Sequence, residues 1–355
     1  MCCSGSSKLP QFIRPRFFWR ETSLLGLKLL LLVLALLGAL QIGGCYYLQA
    51  AGGQLEILRK RTPITTVIEN PASSEELRRR LRMVQEARQF AVEELLLPDN
   101  KSYQTFADLE RDYVVWNVMA APEFSLQPMT WCYPVVGCVA YRGYFSEEKA
   151  AKLADKLRAQ EYDVFVGGVA AYSTLGRFAD PVLNTMMRWS DIDLVAVLFH
   201  ELAHQRLFIK GNTGFNESFA TAVAETGVER WLRQHGKQAE MEEYRGRQEL
   251  RQALMELVDA TKSELDVVYD SERSSAEKRT AKGALLERLS SDAEETVKQQ
   301  SFSASNWLRP PLNNARLVSL VLYRGQLDVF RELLERCADE LSCFYAAAEE
   351  LGNNY

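Results

Sequence analysis

Residues 190–204, Ser-Asp-Ile-Asp-Leu-Val-Ala-Val-Leu-Phe-His-Glu-Leu-Ala-His, constrain this chain more than any other segment. Ile192, Val195, Leu198 and Leu202 recur at helical spacing. Ser190 stands where an N-cap belongs, and Asp191 and Asp193 fall in the first turn, where the helix dipole favours anions. The spacing predicts a buried helix. Ionisable groups on such a helix are costly unless paired or coordinated, so His200, Glu201 and His204 need a use. The two histidines, four apart, project from one face and can share a single zinc ion. Glu201 sits one residue round the helix, beside that ion but not on it, where a general base must stand to take a proton from metal-polarised water. The plainer alternative is a pair of satisfied core histidines with Glu201 as a surface charge. The third and last histidine, His235 before Gly236, reads as a cation at a helix C-terminus and is assigned no chemistry.

A third ligand follows from the next segment. Lys210-Gly-Asn-Thr-Gly-Phe-Asn216 is turn-rich, and Asn216 is expected to cap a second helix with Glu217 in its first turn. Small Ala220, Ala222 and Ala224 let that helix pack closely on the first, and an antiparallel return brings Glu217 beside the histidines. Two histidines and one carboxylate leave the fourth position of zinc for water, which is the catalytic arrangement. A favourable first-turn acid is the alternative for Glu217. Glu225, eight residues further on the same face, is a candidate to hydrogen-bond a ligand histidine, or else a solvated acid.

The whole chain reads as α+β and predominantly helical, with a small sheet. Its 355 residues suffice for a substantial core, and a net charge of −5 gives no support for a nucleic-acid partner. No repeat of solenoid period is present. Residues 45–72 read as a tether and 73–236 as the metal-bearing core. Within that core a helix is expected from Ser73 toward Leu97, with Arg78, Arg79 and Arg80 on its solvated side. Strands are expected at Tyr113–Ala120, Cys138–Phe145 and Asp163–Tyr172, with a helix over Ser146–Gln160. Residues 237–301 carry near-heptad leucines and many charges, with a reversal at Ser271–Ser275, and predict a long helical hairpin. Residues 302–355 form a last helical segment, capped by Asn313, Asn314 and Arg316.

The N-terminus differs from the rest. Five basic residues against one acid precede the apolar run Leu29–Leu40, which leads to Ile42-Gly43-Gly44-Cys45. This layout resembles a bacterial lipobox, so residues 1–44 are expected to be a signal sequence and Cys45 the lipidated residue, anchoring the protein to a membrane in the bacterial envelope. An uncleaved anchor helix is the alternative, since 27 uncharged residues can span a bilayer. Either route exports the chain to the periplasmic side, where disulfides persist. Cys132 and Cys138 bracket a short Pro- and Gly-containing loop and are expected to bond. Cys337 and Cys343 are about 9 Å apart along an uninterrupted helix, so their pairing stays open.

These residues resemble a known group. His200-Glu201-Leu-Ala-His204 followed by Asn216-Glu217-Ser-Phe219-Ala220 is similar to the gluzincins, and especially to their alanyl-aminopeptidase branch. Trp131-Cys-Tyr-Pro-Val-Val-Gly-Cys138, Tyr141-Arg-Gly-Tyr-Phe145, Ala171-Tyr-Ser-Thr-Leu-Gly176 and Asn313-Asn-Ala-Arg-Leu317 resemble a family of predicted bacterial aminopeptidases, often lipoproteins. The resemblance implies a gluzincin-like core, one Zn²⁺ on His200, His204 and Glu217, Glu201 as base, and a peptide substrate cleaved at its N-terminus. Tyr172 is the candidate donor to the oxyanion, with core packing as its alternative. The Gly-x-Met-Glu-Asn segment that grips the free amine in the alanyl branch is absent here. A metalloendopeptidase and a non-catalytic zinc-binding envelope lipoprotein are the competing readings.

Overall fold

The computed structural model describes residues 46–133, 137–299, 311–321 and 326–354. The apolar run, the lipobox and Cys45 lie outside the described residues. No helix among the described residues is long and apolar enough to cross a membrane. Residues 46–53 belong to an N-terminal unit, and those from Gln54 onward form the body discussed below.

The stretch read as a tether is structured. Residues 46–60 are helical (α1), and the chain continues through strand β1 (Thr62–Pro63) and helix α2 (Ile64–Glu69). Ile57 and Ile64 are fully buried in the main core. Helix α3 (Glu75–Glu93) is capped by Ser74, whose side chain accepts from Leu77 N, and it buries Leu81, Val84 and Ala87 as their spacing predicts. Arg80 departs from the expected solvated face. It is buried and donates to the carbonyls of Met187 and Trp189, while Arg79 pairs with Asp191 at 2.6 Å. Three basic residues in a row cannot share one helix face, so the last of them, Arg80, turns inward and satisfies a buried loop.

Among the described residues, three small sheets complete the α+β body. β1 pairs with β2 (Thr105–Ala107), which pairs with β8 (Val182–Leu183). The long antiparallel pair β3 (Val115–Pro122) and β7 (Tyr162–Val169) carries β6 (Arg142–Tyr144) on its other edge. Helix α4 (Glu147–Arg158), capped by Ser146, packs on this sheet. β4 (Trp131–Tyr133) and β5 (Gly137–Val139) form a hairpin in which Cys132 opposes Cys138, and the expected disulfide is present.

The helical side begins with α5 (Asp191–Arg206) and α6 (Thr213–Gln234), which pack on each other along their length. The expected hairpin is α7 (Gln238–Asp270) and α8 (Ser275–Lys298), turning within the predicted reversal. Ser274 and Glu277 close a reciprocal capping box at the start of α8. The described residues of the final segment form three helices rather than one: α9 (Asn314–Val321), α10 (Leu327–Arg336) and α11 (Leu341–Asn353). Ala338 and Asp339 take left-handed backbone between the last two. That break brings the Cα atoms of Cys337 and Cys343 to 5.6 Å, and the two are bonded. A continuous helix would have kept them too far apart.

Asn313 caps α9 as expected, accepting from Arg316 N. Asn314 does more. It is fully buried, its amide donates to the carbonyls of Pro122, Glu123 and Ser125, and its oxygen accepts from Tyr269. One side chain thus ties α9, the end of β3 and the hairpin together.

Candidate metal centre

Helix α5 forms where the sequence places it. Ser190 accepts from Asp193 N at 3.1 Å, and Leu194, Val195, Leu198, Phe199, Leu202 and Ala203 are buried. Phe199 stacks on Phe90 of α3, which fixes the rotation of the helix about its axis. Helix α6 begins earlier than expected. Its cap is Asn212, whose side chain accepts from Phe215 N. Asn216 is instead buried within the helix start, where it accepts from Ile209 N at 2.7 Å and donates to Ile209 O at 2.8 Å. Glu217 therefore lies in the second turn, and Asn216 clamps the α5–α6 loop.

Close packing sets the distance between the two helices. A Cβ on Gly227 would stand 2.7 Å from the Phe199 ring and 2.6 Å from Leu95, so only glycine lets α6 approach α5 this closely. From beneath, Phe219 of α6 meets Phe330 and Phe344 at 5.8 Å each. The loop joining the two helices is also braced from the β4–β5 hairpin. Gly137 and Gly211 both have positive φ, and a Cβ on Gly137 would lie 3.0 Å from the Gly211 backbone.

The outcome is a convergence of three ligand atoms. His204 Nε2 lies 3.1 Å from His200 Nε2, which lies 3.2 Å from Glu217 Oε2, and the other Glu217 oxygen is 3.8 Å from His204 Nε2. All three side chains offer an atom within 4.8 Å of one another. Four ligands at ordinary zinc distances stand about 3.3 Å apart, so the donor set fits a small tetrahedral cation. Two imidazole nitrogens that are both unprotonated repel at this distance unless a proton or a cation lies between them.

Burial drives the electrostatics of this group. Desolvation pushes the His204 ring down to about 4, which keeps it neutral and able to ligate. Burial opposes charge on His200 too, but the hydrogen bond and charge of Glu217 outweigh it and raise that ring. Burial works against a charged Glu217, and the two histidines overcome it and hold that carboxyl low. Glu201 has no such relief. Desolvation lifts its carboxyl to about 7, with His200 opposing and Glu217 and Asp180 adding to the rise. A carboxylate poised near neutrality is what proton transfer requires.

Residues 45–355 match the family model described as "Putative aminopeptidase". The chain belongs to that family. Membership covers every element described here and supports peptidase chemistry at a coarse level. No curated protein and no solved structure matches the chain.

Other site residues of this aminopeptidase-family chain fall further out. Tyr172 packs its ring edge-on to Phe145 at 5.5 Å, at the margin of the main core. Glu225 accepts from Arg331 of α10 at 2.9 Å. Sequence reasoning passed over Asp180, which is 2% exposed and acts electrostatically on Glu201. Its carboxylate accepts from Thr174 N at 2.9 Å and Thr174 Oγ1 at 2.7 Å, so it shapes the loop after Tyr172. Gln205, one turn beyond Glu201 on α5, accepts from Asn100 at 2.7 Å. No periodicity marks these positions. The only signal was a polar, turn-rich composition at Asp99–Ser102 and an Asp before Pro181.

Proposed function

We propose that the protein is a zinc-dependent aminopeptidase, with one Zn²⁺ held by His200, His204 and Glu217 and with Glu201 as general base. The observation that carries this reading is the convergence of the three ligand atoms on two buried helices, with Glu201 adjacent. When bound, the ion would polarise the scissile carbonyl and acidify the attacking water. Glu201 accepts the water's proton and returns it to the departing amine. Tyr172 is assigned the oxyanion, a role usually worth a few kcal/mol. Strand β7 has β3 on one side only among the described residues, and an extended peptide laid along its open edge would gain backbone hydrogen bonds.

The same reading places the protein on the periplasmic face of a bacterial membrane through a lipid on Cys45. Two disulfides in the body support an oxidising compartment.

Purified full chain, its metal content measured, is assayed on amino-acyl arylamides and on their N-acetylated forms, with Glu201→Gln alongside. One zinc per chain and cleavage of the free-amine substrates alone supports an aminopeptidase. Equal cleavage of both forms makes it an endopeptidase, and a zinc-loaded but inactive wild type leaves a binding protein.

A further inference from the structure

Among the described residues, the Cys132–Cys138 cystine closes the smallest sheet. β4 and β5 are 3 residues each and pair only with each other. A two-stranded ribbon of that length is marginal in water by itself. The cystine joins directly opposed residues and withholds the freedom that an open chain would regain. Both of its cysteines are exposed, whereas Cys337 of the other cystine is buried. A disulfide in contact with solvent is open to attack by a thiolate, so this one is the more accessible to a reductant.

What the hairpin covers is the loop between two of the candidate ligands. Residues 207–212 join α5, which carries His204, to α6, which carries Glu217. Two contacts fix this loop at Ile209. Asn216, the neighbour of Glu217, accepts from Ile209 N and donates to Ile209 O. Gly352 of α11 makes room for the Ile209 side chain, which a Cβ there would meet at 2.6 Å. The turn that follows, Lys210 and Gly211, is covered by the hairpin instead. Gly137, next to Cys138 in sequence, lies so close that a Cβ on it would stand 3.0 Å from the Gly211 backbone and 3.3 Å from the Lys210 side chain. A glycine held in left-handed backbone, as Gly211 is, gains more conformational freedom on release than any other residue.

We propose that the Cys132–Cys138 cystine is a redox switch on this loop. Oxidised, it keeps the turn packed and His204 and Glu217 at ligating spacing; reduced, it frees the turn and weakens metal binding. Reduction breaks the one S–S bond. Two electrons and two protons pass from a dithiol, which becomes a disulfide, to the two Sγ atoms, which are left as thiols. The effect on the metal rests on the zinc reading above; the effect on the loop does not. In a reducing compartment the chain keeps a weak site, which tightens once the hairpin is oxidised.

Cys132→Ser/Cys138→Ser makes the open hairpin permanent. It is compared with oxidised wild type as full chain, with free thiols capped by iodoacetamide in both. Should the variant not fold, wild type opened by limiting dithiothreitol and capped at Cys132 and Cys138, as read by peptide mapping, takes its place. The first readout is amide hydrogen exchange of residues 207–212 in the metal-free protein. Exchange there is expected to quicken about 10-fold or more on opening, with α7–α8 unchanged. Equal exchange in the open and closed forms overturns the switch. The second readout is zinc affinity by competition with a chromophoric chelator, expected to fall about 10–100-fold on opening. Equal affinity overturns the link to the metal. An oxidised wild type that takes up no zinc, while loop exchange still quickens on opening, removes the zinc reading and retains the cystine's hold on the loop.

Discussion

The α5–α6 pair and the α7–α8 hairpin are both helix pairs joined by a short reversal, yet they place charge on opposite sides of their packing. In α5–α6 the buried residues include small Ala203, Ala220 and Ala224, Gly227 of α6 closes onto Phe199 of α5, and the ionisable His200, Glu201, His204 and Glu217 are carried on these same two helices. In α7–α8 the seam is Val258 and Leu265 against Leu286 and Leu289, and charges such as Arg288 and Glu264 pair outside it. Small residues bring backbones close and allow short side chains from two helices to reach one point. A leucine seam keeps helices apart and leaves charges in water. The hairpin joins the body through apolar packing on Leu317 and Leu320 of α9 and through polar clamps such as Lys282 on Asp163 at 2.6 Å.

That contrast can be broken most sharply through function. Glu201→Gln is expected to lower peptidase turnover by about 10²–10⁴-fold while zinc content holds, whereas Glu264→Gln on the hairpin leaves turnover within about two-fold. Comparable losses from both would remove the distinction. Next come the clamps. Lys282→Ala leaves Asp163 short of its cation in a nearly buried place and is expected to cost about 1.5–3 kcal/mol in urea unfolding. Arg288→Ala, whose pair with Glu264 is half exposed, is expected to change stability by less than about 1 kcal/mol.

Glycines offer a test in which the sign reverses. Gly227→Ala presses a methyl onto Phe199 and Leu95 and is expected to destabilise by about 1–3 kcal/mol. Gly283→Ala in α8 meets nothing within 4 Å and is expected to stabilise by about 0.5–1 kcal/mol. A stabilising methyl at both positions would mean that α6 does not approach α5 closely at Gly227.

The smallest effect is on acid stability. The hydrogen bond from Arg79, with burial opposing, holds the Asp191 carboxyl below its ordinary value. A lowered carboxyl adds stability above its unfolded value, near pH 4, and that stability is lost as pH falls through the folded value. Asp191→Asn is therefore expected to flatten the acid limb of a Tm-against-pH curve slightly, leaving neutral stability within about 1 kcal/mol. A steeper acid limb would reverse the assignment.

Sequence patterns revealed what depends on periodicity. The apolar rhythm and cap of α5, the heptads and reversal of α7–α8, and the short Cys132–Cys138 bracket all appear as expected. Features that depend on where two distant segments meet were not legible. Asn216 read as a cap because asparagine caps well, but Asn212 was also available and the α5–α6 loop needed Asn216 inside. Arg80 read as solvated because its neighbours are charged. The break at Cys337–Glu340 has no proline or glycine to announce it, so the second disulfide could not be deduced. Asp180 lies outside the His-Glu-x-x-His segment in sequence, and only the tertiary fold brings its charge to bear on Glu201.

The backbone-to-backbone contact of Gly137 with Gly211 makes two remote pieces of chain one mechanical part. At Gly211 the strap between His204 and Glu217 has no side chain to absorb a push, so a bulkier residue at Gly137 of the little cystine hairpin would press on the segment that spaces those two side chains. The three candidate ligands thus depend on a hairpin that supplies none of them.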